Sequence, residues 1–258
     1  MRKERSTAGT MRERIQFCAG CGREMPYELK QSYVTRRIRK KEYVFEIAEA
    51  VCAGCGENVG VPGLLDYNAA GVERQYRELE PLFSLSDKML LVLSYLFQIA
   101  EEITPLALQK MLYFIQGIHI LLFGGEVFQE DCQAWAHGPV YKEVYEIFRD
   151  FQYNPIEDRR LTKFGNRVNE LSEQERKVIG LVAESFGAYS GKTLERVTHK
   201  EAPWKEARAG CPADRRSSEV ITKASIGNYF RAAAQQYDFS SVEGIRKYID
   251  SRLRMDRS

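Results

Sequence analysis

The sequence lacks the features that would place it in several common classes of protein. Its 258 residues contain no GxxxxGK[ST] or GxGxxG segment, so no motif supports nucleotide binding. The net charge of +2 is close to neutral and gives no reason to expect a nucleic-acid or membrane partner. A content of 44% hydrophobic and 29% charged residues predicts an ordinary soluble protein with a hydrophobic core.

Long apolar segments are also missing. The amino-terminal segment MRKERSTAGTMRERIQ is charged and has no apolar stretch, which predicts that no secretory signal is present. The most apolar run, Met111 to Phe123, is short for a bilayer span and includes Gln116 and His119. We therefore expect a cytoplasmic protein, in which cysteine thiols stay reduced.

Cysteine is scarce, yet four of the six cysteines lie in two copies of the pentapeptide CAGCG. The copies run from Cys18 to Gly22 and from Cys52 to Gly56, with thirty residues between the two CxxC pairs. Two tight loops that each supply two thiolates match the tetrahedral coordination of zinc. The glycine after each pair lets the loop turn back and aim backbone N–H groups at the sulfurs. We predict one zinc ion, held by Cys18, Cys21, Cys52 and Cys55.

Other interpretations of the four cysteines stay open at this stage. They are iron in a rubredoxin-like site, a redox-active thiol pair, or four unrelated reduced thiols. Four cysteine ligands leave no open position for water, so we expect a structural metal that contributes folding energy to a unit of about fifty residues. The remaining cysteines, Cys132 and Cys211, have no partner spacing and are predicted to be plain thiols.

The segment between the two cysteine pairs predicts a β-hairpin. Tyr43, Phe45 and Ile47 recur with a period of two, which is typical of a strand, and residues 27–34 predict a second strand. CAGCG, EYVFEIAEAV and the closing CAGCGE make this segment similar to the YgiT-type zinc finger of MqsA-like antitoxins. The helix-turn-helix that follows the finger in those proteins is not recognisable here, so promoter binding does not carry over.

A basic run lies at or near the expected hairpin turn. Such a run can contact phosphates, but it is more often a solvated hairpin tip, and Glu42 and Glu46 lie nearby. We favour the solvated tip and keep nucleic-acid contact as an alternative. The residues concerned are Arg36, Arg37, Arg39, Lys40 and Lys41.

Helix signals dominate from Ser86 onward. Thr104-Pro105 predicts the start of a long apolar helix that ends at Gly124-Gly125, and Ser172 with Glu175 predicts a capping box. Residues 140–151 place apolar residues on one helical face. The sequence thus predicts a mainly α (α+β) protein. We expect a zinc ribbon with a β-hairpin, followed by a helical domain with a few short strands.

Three segments of the helical region carry a second resemblance: KMLYFIQG at 110–117, AWAHGPVYKEVY at 134–145 and THKEAPWKEAR at 198–208. Together they resemble the Panacea domain, also called the SocA-like antitoxin domain, over about residues 86–237. The resemblance implies an antitoxin of a toxin–antitoxin module, often in a prophage or mobile element, that neutralises a cognate protein toxin by direct binding. It implies no enzyme. It marks these residues as structural or toxin-binding: Lys110, Tyr113, Gln116, Trp135, His137, Gly138, Pro139, Tyr145, His199, Pro203 and Trp204.

Alternatives to direct binding remain. One relative of this type is an adaptor that delivers its toxin to the ClpXP protease, and the basic tail after Ser240 is a candidate protease contact. A zinc-dependent nucleic-acid-binding regulator or an enzyme built around His137 and His199 are further possibilities. For both histidines we favour structural roles, with the His137 ring bonded to backbone at the Gly-Pro turn and His199 at a helix end. We expect both tryptophans to be core anchors.

These signals predict five segments. They are a disordered amino terminus (1–14), the zinc ribbon (15–65), a connector (66–85), the Panacea domain (86–237) and a basic tail (238–258). Apolar residues of the tail recur at helical spacing, so it is either a packed helix or a free arm.

Overall fold

The computed structural model describes residues 14–38, 41–212, 215 and 217–254. The chain divides between Leu79 and Glu80 into two compact units, called here the amino-terminal unit and the helical unit. The predicted α+β class is confirmed, since an antiparallel sheet that carries the clustered cysteines precedes a helical region with a small second sheet. Apart from Arg14, the segment predicted to be disordered lies outside the described residues.

The amino-terminal unit is a three-stranded antiparallel sheet with one helix. The strands are adjacent in chain order, and Ile38 pairs with Lys41 beside the hairpin turn. The predicted alternation is present, because Tyr43 and Phe45 are buried while Val44 between them is exposed. The elements are β1 (Ile15–Cys18), β2 (Arg23–Ile38), β3 (Lys41–Cys52) and α1 (Leu64–Leu79).

Helix α1 occupies most of the predicted connector. Its Asn68 side chain hydrogen-bonds to the backbone of Ala48 in β3. The helix therefore packs as part of the amino-terminal unit, and only residues 80–85 of the predicted connector fall in the helical unit.

The helical unit contains eight α-helices and a three-stranded sheet of order β5-β4-β6 within the described residues. Short 3-10 helices span Glu80–Ser84, Arg149–Phe151 and Arg159–Glu170. The strands are β4 (Cys132–Trp135), β5 (Gly138–Tyr141) and β6 (Val220–Ile221). The helices are α2 (Asp87–Ile99), α3 (Pro105–Phe123), α4 (Lys142–Phe148), α5 (Glu173–Phe186), α6 (Gly191–Thr198), α7 (Ala202–Ala207), α8 (Lys223–Ala233) and α9 (Val242–Arg254).

The predicted helix boundaries are confirmed where a cap defined them. The Ser86 hydroxyl accepts a hydrogen bond from Met89 N at 3.1 Å, and both hydrogen bonds of the Ser172–Glu175 capping box are present. Helix α3 ends at Gly124 with a φ of 79°. The prediction for residues 140–151 is wrong at its start, because residues 138–141 form β5 and helix α4 begins only at Lys142. Pairing with β4 outweighs the helical pattern there.

Helix α3 is the central element of the helical unit and packs against α5, α6, α8 and β5. With 19 residues, the helix is long and apolar enough to cross a membrane. However, 72% of its most apolar 18-residue segment is buried inside the fold, as in the core helix of a soluble protein. Gly117 allows close packing with α8, since a Cβ there would lie 2.3 Å from the Phe230 ring. The rings of Phe114, Phe186 and Phe230 extend this core around α3.

The carboxy-terminal segment is packed rather than free as far as Arg254. Helix α9 lies against α5 and α6, and its Ile245, Tyr248 and Ile249 are buried. These residues sit at the helical spacing seen in the sequence, so the apolar face of the tail belongs to the core of the helical unit.

Candidate functional site

The four cysteines of the repeated pentapeptide meet at one point. Cys18 ends β1 and Cys52 ends β3, while Cys21 and Cys55 lie in the turns that follow these strands. All four Sγ atoms lie within 4.8 Å of one another, and those of Cys18 and Cys55 are 3.4 Å apart. This group can hold a metal ion.

Glycine makes both loops possible. Gly22 and Gly56 have φ values of 66° and 79°, and their N–H groups donate to the carbonyls of Cys18 and Cys52 at 2.9 and 3.0 Å. One N–H group aimed at a sulfur comes from Gly54, which donates to Cys52 Sγ at 3.3 Å. The predicted need for positive φ is therefore confirmed, although a different glycine supplies the contact with sulfur.

The electrostatics of the cluster fit a soft cation. Backbone N–H groups of Cys55 and Gly54 lower the pKa of the Cys52 thiol to about 7. Cys21 behaves oppositely, because a hydrogen bond with the Cys55 thiol and burial raise its pKa to about 12. Thiolates this close repel one another, so a bound cation is the natural source of the missing positive charge. Cys18 and Cys52 also pack with Ala50 and Val59 in a small apolar core around the site.

Lys110 links α3 to the β4–β5 turn in the helical unit. The side chain is fully buried, and its Nζ donates to the carbonyls of His137 and Pro139 at 2.5 and 3.0 Å. Gly138 between them has a φ of 98°, and a Cβ there would lie 2.7 Å from Lys110 Nζ. Burial lowers the pKa of Lys110 to about 8. The lysine therefore stabilises the β4–β5 turn from inside the fold.

Aromatic contacts join the second and third motif segments. Trp204 Nε1 donates to the Trp135 carbonyl at 2.8 Å, and the His199 ring stacks on Trp204 with a centroid distance of 4.1 Å. The Trp135 and Tyr145 rings meet edge to face at 4.9 Å. Segments far apart in the chain thus form one connected structure around β4, β5 and α7.

Comparison with known proteins finds a family match for the segment that contains these contacts. Residues 108–205 match the model described as "Antitoxin SocA-like, Panacea domain". Over this segment the chain is similar to SocA-like Panacea domains. Neither the curated proteins nor the solved structures contain a significant match to the chain. The resemblance inferred from the motifs is confirmed, and the matched range is narrower than the 86–237 expected from them.

Most of the motif residues of the Panacea domain have internal partners. Gln116 holds the segment after α3, since its amide donates to the Phe128 carbonyl and accepts from Val127 N at 3.3 and 3.0 Å. Tyr113 is fully buried, with its ring 6.0 Å from that of Phe230. Pro203 is buried in the first turn of α7.

The two motif histidines and the tryptophans differ from expectation in detail. The His137 ring faces the Glu195 carboxylate at 3.3 Å instead of backbone, and 74% of its side chain is exposed. His199 does lie at the end of α6, but its ring stacks on Trp204. Burial lowers the pKa of His199 to about 4, so the imidazole is neutral at pH 7. Trp135 and Trp204, expected in the core, are partly buried and contact each other through the Trp204 Nε1–Trp135 O hydrogen bond.

Sequence reasoning missed two buried acids. The Glu195 carboxylate is 6% exposed and lies 2.8 Å from Lys192 Nζ. Glu201 is fully buried and accepts a hydrogen bond from the Tyr248 hydroxyl of α9. The spacing Lys192-x-x-Glu195 and the position of Glu201 between motif residues were the available signals, but neither reveals burial.

The basic run of the hairpin has only local contacts among its described members. The Arg37 guanidinium pairs with Glu42 at 2.9 Å, and Arg36 donates to the Thr35 carbonyl at 3.2 Å. Lys41 begins β3, whereas Arg39 and Lys40 lie outside the described residues. Contact with nucleic acid stays a prediction.

Proposed function

We propose that the protein is an antitoxin that neutralises a cognate protein toxin by binding directly to it. The match of residues 108–205 to the Panacea domain carries this proposal. The internal contacts of Lys110 and Trp204 support it. These motif residues stabilise the fold, and other residues on its surface would contact the toxin. The complex would occlude the active surface of the toxin, and the toxin would be encoded by the adjacent gene.

Co-expression with the neighbouring open reading frame tests this function. We expect that gene alone to arrest growth, and co-expression of this chain to restore it with recovery of a stoichiometric complex. A neighbouring gene that is harmless alone, or that stays toxic in the presence of this protein, would contradict the proposal.

A protease-deficient host separates direct binding from delivery to a ClpXP-type protease. Direct binding predicts that neutralisation persists when the protease is absent, whereas an adaptor would lose it. The apolar face of α9 is part of the core, so a protease contact on this segment would use its exposed basic side chains, such as Lys247.

We assign structural roles to His137 and His199 and propose no catalytic residue. The stacking of His199 on Trp204 and the contact of His137 with Glu195 support these roles. Alanine at either histidine should lower neutralisation only to the extent that it lowers the melting temperature. Loss of neutralisation at unchanged thermal stability would contradict the assignment.

For the cysteine cluster we propose one structural Zn²⁺ ion per chain, in a reducing cytoplasm that keeps the thiols free. Four sulfur donors without an oxygen ligand favour this ion. Elemental analysis of protein purified without added metal should find about one zinc per chain. A Cys132→Ser variant is the control, because this buried cysteine lies outside the cluster. Iron in place of zinc, or a zinc content far below one, would contradict the assignment.

A further inference from the structure

The helical unit contains a groove with a volume of about 730 Å³. It lies among α3, α5, α6 and α9 and is bordered by the loop after α2. Met111 and Leu194 are buried beneath it, and Ile99 at its border keeps 40% of its surface exposed. The groove thus combines an apolar base with an exposed apolar side chain.

One wall of the groove is a line of small residues on α5. Gly180, Ala183 and Gly187 follow one another at spacings of three and four, which places them on the same helical face over about 10 Å. A Cβ added at Gly180 would meet no atom within 4 Å. Another backbone can therefore approach this wall closely.

The border of the groove is acidic. Glu101, Glu102 and Glu184 line it and are exposed, and none of them forms an ion pair within the described part of the chain. Arg246 also lines the groove, but its guanidinium donates to the Glu184 carbonyl at 2.7 Å near the end of α5. The guanidinium keeps its charge there, but three carboxylates against one guanidinium leave the border with a net negative charge.

We propose that this groove binds a basic amphipathic helix of the toxin. Small apolar side chains of that helix would face Gly180 and Ala183, and Lys or Arg beside them would meet the carboxylates of the border. The wall is helical and offers no sheet edge, which favours a helix over an added strand. The charge of the border opposes a nucleic acid and complements a cationic segment. This inference rests on the proposed antitoxin function and assigns a surface to it.

Filling the groove tests the proposal most directly. Gly180→Leu places a side chain in open space, and leucine is a better helix former than glycine, so the variant should be at least as stable as the natural protein. We expect it to bind the purified product of the neighbouring gene at least tenfold more weakly in calorimetry. Gly71→Leu is the matched control, since Gly71 is also helical with no atom within 4 Å of an added Cβ.

Charge reversal supplies an independent measurement. Replacing Glu101, Glu102 and Glu184 by lysine should weaken binding at least tenfold at low salt and reverse the direction of its salt dependence, because salt would then screen a repulsion. The control carries the same change in charge at exposed acids away from the groove, with lysine at Glu157, Glu206 and Glu219. This control should bind like the natural protein.

The outcomes separate the surface from the function. If the natural protein and both groove variants bind the toxin equally, the groove assignment is wrong and the antitoxin function stands. If the natural protein does not bind the toxin at all, both fail. A second copy of this chain is the alternative occupant of the groove, and sedimentation of the protein alone tests for it. Self-association that is lost in Gly180→Leu would make the groove a contact between two copies and overturn the proposal.

Discussion

The side-chain amide of Asn68 hydrogen-bonds twice to the backbone of Ala48. Its Oδ1 accepts from Ala48 N at 2.9 Å, and its Nδ2 donates to Ala48 O at 2.8 Å. Gln75, two helical turns later, makes the same pair of contacts with Glu46 at 3.0 and 2.8 Å. Because β3 is an edge of its sheet, these amides occupy backbone groups that another strand could otherwise pair with.

Removal of both amides should destabilise the amino-terminal unit and promote association. We expect Asn68→Ala with Gln75→Ala to lower the free energy of unfolding by about 2 kcal/mol. Four hydrogen bonds to the β3 backbone are lost, and at this partly exposed edge each has a net contribution of about 0.5 kcal/mol after exchange with water. Urea denaturation measures the loss, and light scattering detects edge-to-edge association. As a control, Glu73→Ala with Arg77→Ala removes an exposed ion pair of the same helix and should change stability by less than about 0.5 kcal/mol. Equal effects of the two pairs would refute the edge-protection role.

Loss of one cysteine of the cluster should unfold the amino-terminal unit selectively. We expect Cys18→Ser to abolish stoichiometric metal binding, because the remaining three thiols no longer complete the tetrahedral shell. Limited proteolysis should then cleave within residues 14–79 and leave residues 80–254 protected. A strong chelator should reproduce this pattern in the natural protein. Protection of the amino-terminal unit without metal would show that its small core is sufficient.

The Gly138 position should not accept a side chain. Alanine there would hold a strained φ of 98° and place its Cβ 2.7 Å from Lys110 Nζ and 2.9 Å from Thr198 Oγ1. We expect Gly138→Ala to cost about 2 kcal/mol or more of stability. Gly124→Ala shares the positive φ but has open space around it, so the difference in unfolding free energy between the two variants isolates the steric contacts with Lys110 and Thr198. Equal losses would mean that only backbone strain matters.

The buried acid Glu201 should make stability depend on pH. Burial raises its pKa from 4.5 to about 7, so between these values the folded state binds more protons than the unfolded state. Its contribution to stability is therefore fully present below about pH 4.5 and is lost as the pH rises through 7. Glu201→Gln keeps a neutral side chain of the same shape at every pH. The free energy of unfolding of the variant minus that of the natural protein should therefore be larger at pH 8 than at pH 5, by up to about 3 kcal/mol. Urea denaturation of both proteins at the two pH values measures this difference, and an unchanged difference would refute the assignment.

Local chemistry explains what could be predicted from the sequence. Ser86, Ser172 and Gly124 act through hydrogen bonds or backbone angles confined to a few neighbouring residues, and the structure has them as predicted. The CxxC spacing likewise encodes two local loops. The start of α4 was mispredicted because strand pairing of residues 138–141 with β4 depends on another segment of the chain.

The sequence itself determined the cysteine cluster, the helix caps and the Panacea motifs, because each depends on residue type at short spacing or on a family pattern. The partners of Lys110, Glu201 and Asn68 were decided only by tertiary structure, since each contact joins residues distant in the chain. The acidic border of the groove also depends on tertiary structure. Glu101 and Glu184 acquire a common role only because α5 packs beside the loop after α2, and no local pattern brings those carboxylates together.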